Sequence, residues 1–265
     1  MKLTDRLVNH RPARRRRPPI PPRPGPRGRG SDASRRRLFE AAAREFATHG
    51  FEGASVDRIA SSARLNKAMI YYHFGCKARL YGDILRDMFG AVGARVRAVA
   101  ASPASPEEKV RRFVASIAEE ANARPHFPPI WFREIADGGT HLDPQTIRDV
   151  AGVVSSLGGI IDAGVETGVF HRVDPFLVHA GIVGPLLLFF ASTSLRERMS
   201  RAGLPVGQYQ RGQVVDHIQH VTLAVLRGVA GGETHVAAPT SEAKVGRGGR
   251  GHAALAGGRT KRRSS

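Results

Sequence analysis

The sequence predicts an all-α protein: a small three-helix head, a connecting helix and a bundle of five further helices, set between two basic tails. Three observations predict it. Apolar residues recur at helical spacing between residues 31 and 230, and no stretch alternates as a strand would. Three helix starts are written as a capping residue followed by proline: Ser105-Pro106, Asp143-Pro144 and Asp174-Pro175. Glycines stand where such helices should stop, at Gly50, Gly138-Gly139, Gly168 and Gly203.

The charge is uneven along the chain. The formal net charge is +18, but residues 1–37 carry 13 Lys/Arg against 2 Asp/Glu, and residues 230–265 carry 7 against 2. That leaves +2 for residues 38–229, so the folded part is nearly neutral. The tails, 1–30 (RPARRRRPPIPPRPGPRGRG within it) and 231–265, have too little apolar surface to offset the cost of ordering and are expected to be disordered. Basic tails imply a polyanion partner without choosing among DNA, RNA and anionic lipid. The N-terminal tail could serve as an arm that adds phosphate contacts or enters a minor groove.

The single cysteine, Cys76, excludes an internal disulfide framework and fits a reducing cytoplasm. No apolar core follows the first charges, so no secretory leader is expected. The longest apolar run, Phe176 to Ala191, is broken by His179, Gly181, Gly184 and Pro185 and falls short of the roughly 20 residues of a membrane span. It reads as a buried or dimer-forming helix, and no membrane partner is expected.

The first helix should run from about Asp32 to His49, with Ser31 or Asp32 as its cap. Leu38, Ala42 and Phe46 form its apolar stripe, and Phe51 folds back after Gly50. Ser55 should cap the second helix, whose Val56, Ile59 and Ala60 face inward. A turn at Ala63-Arg64-Leu65 follows. Asn66 caps a third helix to about Phe74, and a fourth, made uneven by Gly82, Gly90 and Gly93, runs from near Cys76-Lys77 toward Val99. Ser105-Pro106-Glu107-Glu108 reads as a capping box. The five bundle helices are expected at 106–123, 128–137, 144–167, 175–199 and 206–229. Stripes of Val178, Ile182, Leu186 and Leu187, and of Val214, Ile218, Val221 and Val225, make the last two the expected face of a homodimer.

The third helix carries the chemistry. Asn66, Lys67, Tyr71, Tyr72 and His73 fall within eight residues, a density of polar, basic and aromatic groups suited to a phosphate backbone and base edges. Lys67 at its start can donate to guanine, with a phosphate contact as the alternative. Tyr71 and Tyr72 point about 100° apart and cannot share one role. Ser55 and Lys77 stand at helix N-termini, where amides attract phosphate.

Residues 36–80 resemble the DNA-binding head of TetR/AcrR-type repressors. The resemblance rests on Leu38, Ala41-Ala42, Phe46, Gly50-Phe51, Ser55-Val56, Ile59-Ala60, Lys67, Tyr71-Tyr72-His73-Phe74 and Lys77. Trp131-Phe132-Arg133-Glu134-Ile135 with Gly138-Gly139 is similar to a further segment of that family. The resemblance implies a helix-turn-helix DNA-binding domain over 31–76 and an effector-binding, dimerising domain over 77–230. It implies that Tyr71, Tyr72 and His73 clamp phosphates through hydroxyl and imidazole N–H donors, with one tyrosine as plain core the alternative. Three residues depart from the pattern: Arg64 replaces the turn glycine, Ala68 a glycine, and Cys76 a capping Ser, Asn or Asp. Arg64 could add a phosphate contact, and the Ala68 methyl could touch a thymine methyl.

The resemblance also implies an effector pocket. Met88, Phe89, Phe113, Phe127, Trp131 and Phe132 are its candidate walls, with Glu134 or His179 as polar handles, and a small hydrophobic or aromatic molecule as its ligand. His217 and His220 have metal-ligand spacing without a completing cluster, so no metal is assigned. Gly246, Gly248 and Gly251 match a dinucleotide fingerprint but follow no strand. No cofactor and no enzymatic activity are expected. The reading is a regulator that binds double-stranded DNA as a homodimer and leaves a palindromic operator when a small molecule binds. The alternatives are a non-specific nucleic-acid-binding protein driven by its tails, and a small-molecule-binding protein with a vestigial head.

Overall fold

The computed structural model describes residues 29–205, 207 and 209–228. The predicted disorder of both tails, the N-terminal arm and the Gly246–Gly251 motif lie outside the described residues. Among the described residues there are ten helices and no strand. They are α1 (Arg29–Gly53), α2 (Val56–Ser62), α3 (Ala68–Phe74), α4 (Lys77–Ala101), α5 (Pro106–Ala123), α6 (Phe127–Ala136), α7 (Pro144–Glu166), α8 (Pro175–Ala191), α9 (Thr193–Arg201) and α10 (Arg211–Leu226).

The head, α1 to α3, closes over the stripe expected of it. Leu38, Ala42 and Phe46 are fully buried, with Ile59, Ala60, Ile70 and Phe74 packed on them. Helix α1 starts earlier than predicted, so Ser31 and Asp32 lie inside its first turns and cap nothing. Its helical run breaks at Gly50, whose φ of 69° is the left-handed conformation that a Cβ disfavours. Phe51 then turns back to meet Phe46 and Tyr81 with ring centroids 6.2 and 5.2 Å away.

Helix α4 runs without interruption through Gly82, Gly90 and Gly93, so the predicted unevenness is not realised. Burial of Leu80, Ile84, Leu85, Met88, Val92 and Val96 outweighs the roughly 1 kcal/mol that each glycine costs. The helix starts written in sequence are realised at α5, α7 and α8, where Ser105, Asp143 and Asp174 accept amides of the first turn. The reciprocal half of the predicted capping box at α5 is not formed, because the Glu108 carboxylate turns to Arg112 at 2.7 Å. Asp143 accepts from the Thr146 amide and hydroxyl and pairs with Arg86 of α4. Those bonds hold its carboxyl down at about 2.

The expected helix over 175–199 is two helices, bent by 57° where α8 passes into α9 at Ser192. The expected helix over 206–229 is the shorter α10. Among the described residues no single helix is long and apolar enough to cross a membrane. The predicted dimer stripe needs correction. Val178, Ile182, Leu186, Leu187 and Ile218 are core residues of the single chain, packed between α5, α7, α8 and α10. Only Val221 and Val225 of that set remain exposed, at 49% and 40%. The apolar surface left open on α8 is carried by Phe176, Leu177 and Leu188 instead. Because α8 is apolar on nearly every side, its inward stripe could not be told from its outward one by spacing alone.

Candidate nucleic-acid interface

The reading face is built by the α2–turn–α3 unit. The Ser55 hydroxyl accepts weakly from the Arg58 amide at 3.5 Å and so caps α2. Its own amide donates to Glu45 of α1 at 3.1 Å. Glu45 also takes the Arg58 guanidinium at 2.6 Å, which fixes the start of α2 against α1. Sequence reasoning missed Glu45 and Arg58. The only signal for them is a carboxylate next to the Phe46 stripe position.

The turn ends α2 through Arg64, whose φ of 52° makes it the one non-glycine left-handed residue among those described. Its amide still bonds Ser61 O at 2.9 Å, and its side chain is exposed. The next amide, of Leu65, reaches Ala60 O at 3.0 Å and closes the turn. Asn66 accepts from the Ala68 amide at 2.8 Å, so its carboxamide caps the first turn of α3 as expected. Ile70 and Phe74 anchor α3 to the head core.

What α3 leaves outward is Lys67, Ala68, Tyr71 and Tyr72. Tyr71 and Tyr72 are 53% and 63% exposed, so neither belongs to the core. The Lys67 ammonium rests 3.1 Å from Asp57 across the turn. Both groups are well exposed, and a pair of that kind contributes about 0–1 kcal/mol, which a base or phosphate acceptor readily replaces.

Two further candidates have side chains held by the head. The Lys77 ammonium is committed to the fold. It donates to Phe51 O at 2.9 Å and Ala54 O at 3.3 Å and lies 4.5 Å from the centre of the Phe51 ring. It satisfies carbonyls freed where α1 ends, leaving only its backbone at the N-terminus of α4. His73 is half-buried, with Nε2 enclosed and without a hydrogen-bond partner. Burial, with Arg35 nearby, lowers its pKa against the opposing pull of Asp32, which favours the neutral ring; a neutral imidazole still offers one N–H donor. Cys76 is exposed at the cap position of α4 and makes no capping bond.

The candidate pocket residues separate into two groups. Phe89, Phe127, Trp131 and His179 surround a cavity of about 30 Å³ between α4, α6, α7 and α8, closed further by Val150 and Val153. Phe89 meets Phe127 and Trp131 edge-on at 5.7 and 4.9 Å. His179 is the one polar group on this wall, and burial lowers its pKa, which keeps it neutral at pH 7. Met88 and Phe113 are fully buried core, and Phe132 does not line the cavity. Glu134 lies elsewhere, buried against Tyr81 at 2.7 Å and His141 at 3.0 Å.

Known proteins share this arrangement. A family model described as bacterial regulatory proteins, tetR family, matches residues 38–84. A tetracyclin repressor-like C-terminal domain model matches residues 106–203. The chain is 29% identical over 207 residues to the HTH-type transcriptional repressor NicS of Pseudomonas putida, covering 77% of this chain and 96% of that protein. It is 33% identical over 147 residues to the HTH-type transcriptional repressor SCO4008 of Streptomyces coelicolor, covering 56% and 72%. Among solved structures it resembles the TetR family transcriptional regulator PfmR of Thermus thermophilus, with a TM-score of 0.54 at 26% identity over 72% of this chain and 97% of that one.

Proposed function

The chain belongs to the tetR family and is a DNA-binding transcriptional regulator, and from that premise we propose that it is a homodimeric repressor released from its operator by a small hydrophobic molecule. The observation that carries the DNA-reading half is the open face of α3, where Lys67, Tyr71 and Tyr72 stand exposed on a helix whose other side is core. Two such faces, one per protomer, would enter successive major grooves about 34 Å apart. The second copy would pack on the surface left open by Leu177 and Leu188 of α8 with Val221 and Val225 of α10. The division into a reading domain over 31–76 and an effector domain over 77–230 is part of the same proposal, as is a cytoplasmic site of action.

The effector half rests on the cavity at Phe89, Trp131 and His179. At about 30 Å³ it holds roughly one water, so a larger guest must push its walls apart. Phe89 and Val92 are on α4, and the first residue of that helix, Lys77, ties into the end of α1. A guest that displaces α4 therefore moves the head, and it binds best to the arrangement in which the two heads no longer match the operator.

The test is a gel shift and footprint on the DNA upstream of its own gene and neighbouring genes. A protected palindrome, bound more weakly by Lys67→Ala and Tyr72→Ala, is expected. Specific binding untouched by both substitutions would overturn the assigned face. The rival reading, a polyanion binder driven by its tails, requires that removal of 1–30 and 231–265 abolish binding. The proposal requires that the shortened chain keep one sequence with a shallower salt dependence.

A further inference from the structure

The joint between α1, α4 and α6 holds a cluster that the regulatory reading does not use. Gly138 and Gly139, with φ of 70° and 71°, fold the chain back after α6, and the Gly139 amide closes the turn on Glu134 O at 2.7 Å. That reversal brings His141 onto Glu134. One ligand atom each from Glu134, Asp137 and His141 then lie within 4.8 Å of one another.

Glu134 is only 1% exposed. Its Oε1 accepts from the Tyr81 hydroxyl at 2.7 Å and lies 3.0 Å from His141 Nδ1. Its Oε2 is buried without a hydrogen-bond partner. An enclosed carboxylate oxygen left unpaired costs on the order of 1–3 kcal/mol or more, and a cation would offset that cost. The helix end favours a cation too. The cluster stands at the C-terminal end of α6, where the helix dipole is negative. Tyr81 holds Oε1 and so orients the carboxylate, the part that an outer hydrogen bond plays around a metal ligand.

We propose that Glu134, Asp137 and His141 form a binding site for a divalent transition cation. One imidazole nitrogen and two carboxylate oxygens make a donor set suited to Zn2+, with a fourth position open to water. Ligand bonds of about 2.0–2.2 Å require the three atoms to draw together somewhat. Asp137 is exposed and His141 only partly buried, so both can turn inward. The His141 ring also lies 4.4 Å from Phe51, at the end of the head's first helix. A cation that fixes His141 therefore fixes a contact between head and body and changes the affinity for DNA. That coupling rests on the regulatory function proposed above, whereas metal uptake does not.

The experiment is a titration of the full-length, chelator-stripped protein with Zn2+ against a competing chromophoric chelator. One equivalent per chain is expected, with an affinity at least about tenfold weaker in Asp137→Asn and in His141→Ala. The double variant His217→Ala/His220→Ala should bind as the parent does. Thermal unfolding without metal confirms that the exposed Asp137 variant is folded. No uptake by the parent, or full affinity in both Asp137→Asn and His141→Ala, overturns the site. Zn2+ should also shift the Kd for the footprinted DNA severalfold in the parent and not in Asp137→Asn. An unchanged Kd with metal bound overturns the coupling and leaves the site standing.

Discussion

The head and the body use their aromatic residues in opposite ways. The head keeps Tyr71 and Tyr72 in the open on a seven-residue helix, held from behind by Ile70 and Phe74. The body sets the buried Phe89 and Phe127 and the partly buried Trp131 around a cavity too small for anything larger than a water. An exposed aromatic pair contributes little to the fold and is available to a partner that arrives from outside. A closed aromatic cage contributes to the fold now and becomes available only by opening. The head is built to dock as it stands, and the body is built to be moved. Lys77 and Arg133 tie the two together, both donating to carbonyls at the end of α1: Lys77 to Phe51 and Ala54, and Arg133 to Thr48 at 2.9 Å.

The largest expected effect tests the contrast as stability. Phe89→Ala removes an almost fully buried ring and should cost about 3–5 kcal/mol in chemical denaturation. Tyr72→Ala removes an exposed ring and should stay within about 0.5 kcal/mol. A Tyr72→Ala variant as unstable as Phe89→Ala would break the comparison. The next effect reads the same contrast as binding. Lys67→Ala, and the double variant Tyr71→Ala/Tyr72→Ala, should each weaken specific DNA binding by about 1–3 kcal/mol at fixed salt, with the melting temperature unchanged. If Lys67 reads a base, its loss also relaxes sequence preference, whereas loss of a phosphate contact weakens all sequences alike.

The sequence is legible where local chemistry alone decides. The capped starts of α5, α7 and α8 follow from side chains three residues or fewer from the amides they bind. The outward placing of Tyr71 and Tyr72 follows from the family resemblance, and the burial of Ile70 and Phe74 gives its physical reason. Legibility fails where one residue type has two adequate partners. The amides at Lys77 read as a phosphate site from spacing alone, but nothing local shows that the ammonium is taken by carbonyls 26 and 23 residues earlier. Glu134 reads as a pocket handle on its helix, but Tyr81, 53 residues away, claims it. On α8, spacing shows an apolar helix without saying which stripe faces inward.

A pH titration separates the regions again. Burial lowers the pKa of His126 and His179 in the body and, with Arg35, of His73 in the head. The folded state resists the charged imidazole, and the unfolded state accepts it near 6.5. The unfolded state therefore binds more protons as pH falls below about 6.5, and stability present above that pH is lost on the acid side. Urea midpoints at pH 7.5 and 5.5 should show the loss. His179→Gln and His126→Gln should reduce it more than His73→Gln, because those two rings are the more deeply enclosed. Equal stability at both pH values would contradict the enclosure of all three.

The smallest effect concerns Arg64. A left-handed arginine costs about 1–2 kcal/mol relative to a conformation that its Cβ prefers. Glycine at the same place removes that strain but gives back part of it through a more flexible unfolded chain, about 0.4–1 kcal/mol. Arg64→Gly should therefore stabilise the head by no more than about 1.6 kcal/mol. The informative readout is the salt dependence of DNA binding. If the exposed guanidinium meets a phosphate, its loss should make the slope of log K against log salt shallower by about 0.9 for each contact, and twice that for a dimer. A more stable protein with a shallower slope means that strain in the turn is maintained by what the side chain does on DNA. A more stable protein with an unchanged slope means that Arg64 contributes strain and nothing to the interface, which would confine the reading surface to α3.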